Sequence, residues 1–115
     1  MSLELHTLHI QDAFILLLQG RLDSITSTQV ESEILSKIEQ STKPVILDLE
    51  HLDYVASAGL RIILMAAKRA RAQKIAFALC SLQAQVHNVF EISGFLKIIT
   101  VYENRDQALE ASIIS

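Results

Sequence analysis

A single cysteine, Cys80, rules out an intramolecular disulfide and any metal site built from cysteines. Glycine is nearly as scarce, with three in 115 residues. The glycine-dependent nucleotide signatures are missing accordingly: there is no G-x-x-x-x-G-K-[ST] phosphate loop and no dinucleotide fingerprint. The longest apolar runs, Ala13 to Leu18 and Ile62 to Ala67, are far too short to span a bilayer, so no direct membrane insertion is expected. Glu4, His6 and His9 interrupt the N-terminal region, and no cleavable apolar segment of a signal peptide follows. Lys and Arg do not gather into a basic tract, and the formal net charge of -3 argues against nucleic acid as a direct partner. A cytoplasmic location is the default expectation.

What is present describes a folded domain. Half of the residues are apolar and a fifth are charged, a balance that excludes a disordered chain. The length suits one domain over residues 1–115 with a layered core. Leu3 to Ile10 alternates and predicts a strand with one solvated face, and Ala13 to Gln19 predicts a more central strand ended by Gly20. Gln11-Asp12 joins the two as a hairpin. Beyond the polar stretch Ser24 to Thr28, the spacing of Val30, Ile34 and Ile38 predicts a helix, with Thr28 and Glu31 as its capping box. Val45 to Leu49 predicts a third strand, Ile75 to Cys80 a fourth and Lys97 to Tyr102 a fifth. Further helices are expected from Ala58 to Ala72, from Ser81-Leu82 to a left-handed cap at Gly94, and from Asn104 to Ser112. The fold expected is α/β: an N-terminal β-hairpin, then alternating strands and helices, in a mixed and mostly parallel sheet packed by about four helices with right-handed crossovers. Those helices are placed on one side of the sheet.

The chemistry concentrates between the third strand and the helix after it, V-I-L-D-L-E-H-L-D-Y-V-A-S-A-G-L-R-I-I-L, residues 45–64. Ser57 stands where that helix opens, so it is expected to be the N-cap. Its hydroxyl then sits among unpaired backbone N–H groups at the positive end of the helix dipole, a setting that welcomes a phosphate. Gly59 inside the first turn costs about 1 kcal/mol relative to Ala, so something is expected to approach the backbone closely there. Helical steps from Ser57 carry Arg61, Met65 and Lys68 along one exposed stripe flanked by Ile62, a reasonable face for a partner to dock on. Leu60, Ile63, Leu64, Ala67 and Arg71 are assigned to one shared face.

Other reactive residues fit no catalytic pattern. His6, His9, His51 and His87 have no metal-ligand spacing, and His6 and His9 fall on opposite faces of a strand. Cys80 ends an apolar strand and is expected to pack as a small hydrophobe. A serine hydrolase at Ser57 would need G-x-S-x-G, whereas the chain reads V-A-S-A-G without the first glycine. No enzyme is expected and no cofactor is assigned.

Taken in order, Gly20-Arg21-Leu22-Asp23, Val45 to Leu49, Ala56-Ser57-Ala58-Gly59-Leu60 and Val89 to Phe95 resemble the STAS domain of bacterial anti-sigma factor antagonists (anti-anti-sigma factors) over nearly the whole chain. These segments correspond to the family's G-x-[LI]-D, its third strand, its D-S-[ST]-G-L loop and the passage from its third helix to its last strand. The resemblance implies a binding protein that sequesters an anti-sigma factor serine kinase while Ser57 is unphosphorylated, the kinase bringing its own ATP and Mg²⁺ and a phosphatase resetting the switch. It also implies that Asp23 lies close to the phosphosite. Two positions depart from the family pattern: Ala56 replaces the acid before the serine, and Ala58 replaces the Ser or Thr after it. The alternative that the resemblance allows is an accessory subunit of an ABC-type membrane transport complex, never phosphorylated.

Overall fold

The computed structural model describes residues 3–114, with side chains to residue 112. Strands β1 (Leu3–Ile10) and β2 (Ala13–Leu22) form the expected antiparallel hairpin around Gln11-Asp12, in register from Ile10↔Ala13 to Leu3↔Gly20. β2 does not stop at Gly20. That residue adopts φ 114°, open to glycine, and the pairing shifts register between Gly20 and Arg21. The strand thereby divides its far edge between two parallel neighbours. Phe14 to Leu17 pair with β3 (Val45–Asp48), and Gly20 to Leu22 pair with β4 (Leu52–Val55).

β4 lies where the sequence predicts only a loop. It has four residues, Leu-Asp-Tyr-Val, with the two apolar ends buried and the middle pair exposed, too short and too polar to carry a periodic signal. β5 (Phe77–Cys80) and β6 (Val101–Tyr102) continue the sheet in the order β1-β2-β3-β5-β6. The fifth predicted strand is reduced to β6, because Phe95–Lys97 winds into a 3₁₀ turn that leaves Ile98 exposed and Ile99 buried.

The helices are α1 (Ser24–Gln40), α2 (Ser57–Ala72), α3 (Ala84–Ser93) and α4 (Arg105–Ile114). α3 ends at Gly94 in the expected left-handed conformation, φ 82°. α1 begins four residues before the predicted capping box, and its cap is Asp23 rather than Thr28. The Asp23 carboxylate accepts the N–H groups of Ile25 at 3.0 Å and Thr26 at 2.9 Å, while Thr26 Oγ1 accepts the Asp23 N–H at 2.9 Å. Thr26 and Ser27 are buried by this arrangement, so the polar stretch expected to precede the helix is its first turn.

The helices do not all lie on one side. Leu16, Leu18 and Leu22 of β2 with Leu47 of β3 face α1, α2 and α3, which contribute Ile34, Ile63 and Phe90 to one large core. Ala13, Ile15, Ile46 and Cys80 point the other way and are covered by Ala108 and Leu109 of α4. β3 is therefore buried on both faces, which is why Val45, Ile46 and Leu47 follow one another rather than alternating with polar residues.

Candidate functional site

The site is built where two strands end side by side. The Leu22 carbonyl at the end of β2 accepts the Ala56 N–H at 2.9 Å, just past the end of β4. One residue beyond each partner of that bond a helix is launched: Asp23 caps α1, and Ser57 is the first residue of α2. Two helix N-termini and their positive dipole ends thus open onto the same edge.

Ser57 is not the N-cap. Ala56 holds that position, in extended conformation and without a side-chain hydrogen bond, and Ser57 is the exposed first helical residue. The first intrahelical bond runs from Leu60 N–H to the Ala56 carbonyl at 2.9 Å. The N–H groups of Ser57, Ala58 and Gly59 therefore have no acceptor within the helix, and neither a cap side chain nor an acid in the first turn answers them. The Ser57 hydroxyl stands at a bare, uncompensated helix N-terminus.

Gly59 is explained by this chain itself. A Cβ on it would lie 2.8 Å from Leu22 Cγ and 2.9 Å from the Leu22 carbonyl oxygen. That oxygen cannot retreat, since it holds the Ala56 N–H. The close approach anticipated at Gly59 is made by β2, and Gly59 is buried.

Asp23 is half-buried and already committed as a cap. The Thr26 backbone N–H, ahead of opposing partial desolvation and the weaker effects of the Thr26 hydroxyl, Ile25 N–H and Arg21, holds its carboxyl below the usual 3.8. It stays an anion near Ser57's edge of the sheet at any physiological pH.

Along α2 the exposed stripe is narrower than expected. Ile62 is 1 % exposed and belongs to the core, and Met65 is half-buried against it, whereas Arg61 and Lys68 are exposed. Arg71, assigned to one face with Leu60 and Ile63, is exposed while those two are buried. The reason is that α2 packs on α1 as well as on the sheet, so its buried arc widens to include Ile62, Ala66 and Ala70.

The apolar surface beside Ser57 comes from elsewhere. Ile25, in the first turn of α1, is 69 % exposed, and Tyr54 of β4 is 40 % exposed. The Arg21 guanidinium lies 4.2 Å from the Tyr54 ring centroid, forming a cation–π platform across the β2–β4 pair. Neither residue stands out in the sequence, because each sits in a short polar stretch without apolar periodicity.

Cys80 is fully buried beneath α4, and that burial pushes its thiol up to about 11, so it packs as the expected small hydrophobe. His6 and His9 are exposed, with the His9 ring stacked on Phe14 at 4.9 Å. Among the described residues no His, Cys, Asp or Glu cluster could hold a metal ion, and no helix is long and apolar enough to cross a membrane.

The sequence profile of the STAS domain matches residues 4–108. The chain is 41 % identical over 102 residues to BtrV of Bordetella bronchiseptica, provisionally named an anti-sigma factor antagonist, covering 89 % of this chain and 88 % of that one. It is 30 % identical to the anti-sigma F factor antagonist of Paenibacillus polymyxa across the full length of both. The fold matches the crystal structure of an anti-sigma factor antagonist from Mycobacterium paratuberculosis with a TM-score of 0.90 at 19 % identity, over 96 % and 94 % of the two chains. It also matches the Bacillus cell fate determinant SpoIIAA in its phosphorylated form, with a TM-score of 0.71 at 21 % identity over 95 % and 97 %. With the sheet, the paired helix starts and the serine loop in place, the chain belongs to the STAS domain family, among relatives named as anti-sigma factor antagonists.

Proposed function

We propose that this chain is an anti-sigma factor antagonist whose binding is switched at Ser57. In the unphosphorylated state it captures an anti-sigma factor serine kinase, and phosphorylation releases that partner. One observation carries the reading: Ser57 is exposed as the first residue of a helix whose leading N–H groups have neither a cap nor an acid to answer them. The Ser57 Oγ attacks the γ-phosphorus of kinase-bound ATP. A new O–P bond forms, the bond to the oxygen of ADP breaks, and the hydroxyl proton passes to a base on the kinase. Mg²⁺ belongs to the kinase, and a phosphatase hydrolyses the ester to restore the hydroxyl.

Each neighbour has a part in this reading. Gly59 lets the first turn of α2 sit against Leu22 at the end of β2. Asp23 keeps a negative charge at the neighbouring helix start, so the added phosphate is repelled from the α1 side and attracted by the α2 dipole. Arg61, one turn along, is placed to pair with the phosphate. Ile25 and the Tyr54–Arg21 platform supply the apolar contact that Ile62 cannot, and Lys68 extends the docking face along α2. Incubation with the cognate kinase, ATP and Mg²⁺ followed by mass mapping is expected to find one phosphate, on Ser57, and none on Ser57→Ala. Phosphate at another residue, or none, overturns the proposal.

A further inference from the structure

The 37 residues between Asp53 and Glu91 contain five of the ten Lys and Arg residues and not one Asp or Glu, in a chain whose net charge is -3. In the linear sequence these cations are spaced out. Folding collects them. At 100° per residue, Ser57, Arg61, Lys68 and Arg71 fall within about 40° of one line along α2, and Arg61 to Arg71 covers roughly 15 Å. All four are exposed, and Lys74 follows, also exposed, at the left-handed residue that closes the helix (φ 61°). Among the described residues, Arg69 alone of the α2 cations has an acidic partner, Glu39 of α1. Arg61, Lys68 and Arg71 project without an ion pair, on a helix whose opposite side is locked into the core.

Such a strip is expensive to leave unanswered. Lys68 and Arg71, three residues apart on one face, repel, and nothing in the packing of α2 calls for them. Its length and single sign fit a complementary acidic surface on a protein. A nucleic acid is the poorer fit, since the rest of the chain carries a large acidic excess that would repel a polyanion longer than the strip. We propose that the exposed face of α2 is an electrostatic docking strip for an acidic surface of the partner kinase. The same strip explains how phosphorylation works: phosphate on Ser57 adds about two negative charges at its head, draws Arg61 onto itself and subtracts that charge from the docking face. This rests on the switch reading above and adds to it the chemistry of the partner's surface.

The test is the association rate of this chain with its purified cognate kinase, measured in about 50 mM and about 500 mM NaCl, where the Debye length falls from roughly 14 Å to 4 Å. The variant Arg61→Glu/Lys68→Glu/Arg71→Glu is expected to associate about tenfold or more slowly than wild type at low salt, with the gap closing at high salt. The corresponding triple Gln variant, which removes charge without reversing it, is expected to fall between, and His6→Glu/Thr7→Glu, exposed on the edge strand β1, to stay within about twofold. Equal rates for wild type and the Glu variant at low salt overturn the proposal, as does tighter binding to a short DNA duplex than to the kinase. If wild type fails to bind the kinase at all, the switch reading fails separately. A poly-glutamate peptide titrated into the labelled chain then decides the strip: amide shifts confined to Arg61–Lys74 and abolished in the Glu variant support it, and their absence overturns it.

Discussion

At the scale of single residues, the account turns on Leu22, Gly59 and Ser57. The Leu22 carbonyl holds Ala56, and its side chain and carbonyl both press on Gly59. Gly59→Ala would gain helix propensity in solution, about 1 kcal/mol. Here it places a methyl group less than 3 Å from a carbonyl that cannot move. We expect a net destabilisation of about 1–3 kcal/mol in urea unfolding, with no relief from Leu22→Ala, since the backbone oxygen remains. A stabilised Gly59→Ala protein would contradict the contact. The position of Ser57 was legible in the sequence, because a strand, a short hydroxyl-bearing loop and an apolar helix follow in order. Its local role was not. Whether a serine is cap or first helical residue depends on where β4 delivers the chain, and β4 left no periodic trace. Ile62 was misplaced for a related reason: a helical wheel gives the angle between residues but not the width of the buried arc, which α1 sets from another part of the chain.

At the scale of elements, the two helices that open at the site are unequally finished. α1 has a full capping box from Asp23 and Thr26, whereas α2 has Ala56 and no acid in its first turn. Restoring a carboxylate with Ala56→Asp, at a residue already in extended cap geometry, is expected to stabilise the protein by about 0.5–2 kcal/mol, read as a rise in thermal midpoint. A lower midpoint would show that the α2 N-terminus is not bare. Phosphate on Ser57 should act in the same direction, because it supplies the charge the dipole lacks. The large elements were readable: the hairpin, β3, β5 and all the helices were expected, since each has a strong apolar period or a clear turn. The errors fall on short or two-sided elements. β6 pairs for only two residues because the chain enters it from a 3₁₀ turn, and the β-branched Ile98-Ile99 gives no warning of that.

At the scale of the whole molecule, one ion pair holds the second layer. Asp48, the one charge in β3, has a side chain 1 % exposed and faces α4, where Arg105 Nε donates to its Oδ2 at 3.0 Å while Oδ1 accepts the Glu50 N–H at 3.1 Å. Removing the guanidinium with Arg105→Met strands a buried carboxylate and should cost about 3 kcal/mol, toward the low end for such pairs because Arg105 is partly solvated. A far smaller loss would mean that the apolar packing of Ala108 and Leu109 outweighs the ion pair in holding α4. In the sequence Asp48 shows only as the one charge of an apolar run; its partner lies 57 residues away on the face of the sheet opposite α1 to α3. That division of labour matters for the proposed function: α4 covers the back of the sheet, and the front edge, with two helix starts and the α2 cations, is where the proposed partner docks. The central claim is that one phosphate on this edge decides whether a partner is held. It is tested most directly by measuring the affinity of the cognate kinase for fully unphosphorylated protein, for protein phosphorylated at Ser57, and for Ser57→Ala and Ser57→Asp. The account predicts tight binding by the unphosphorylated protein and Ser57→Ala, and at least about tenfold weaker binding, about 1.4 kcal/mol, by the phosphorylated protein and Ser57→Asp; equal affinity for all four would contradict it.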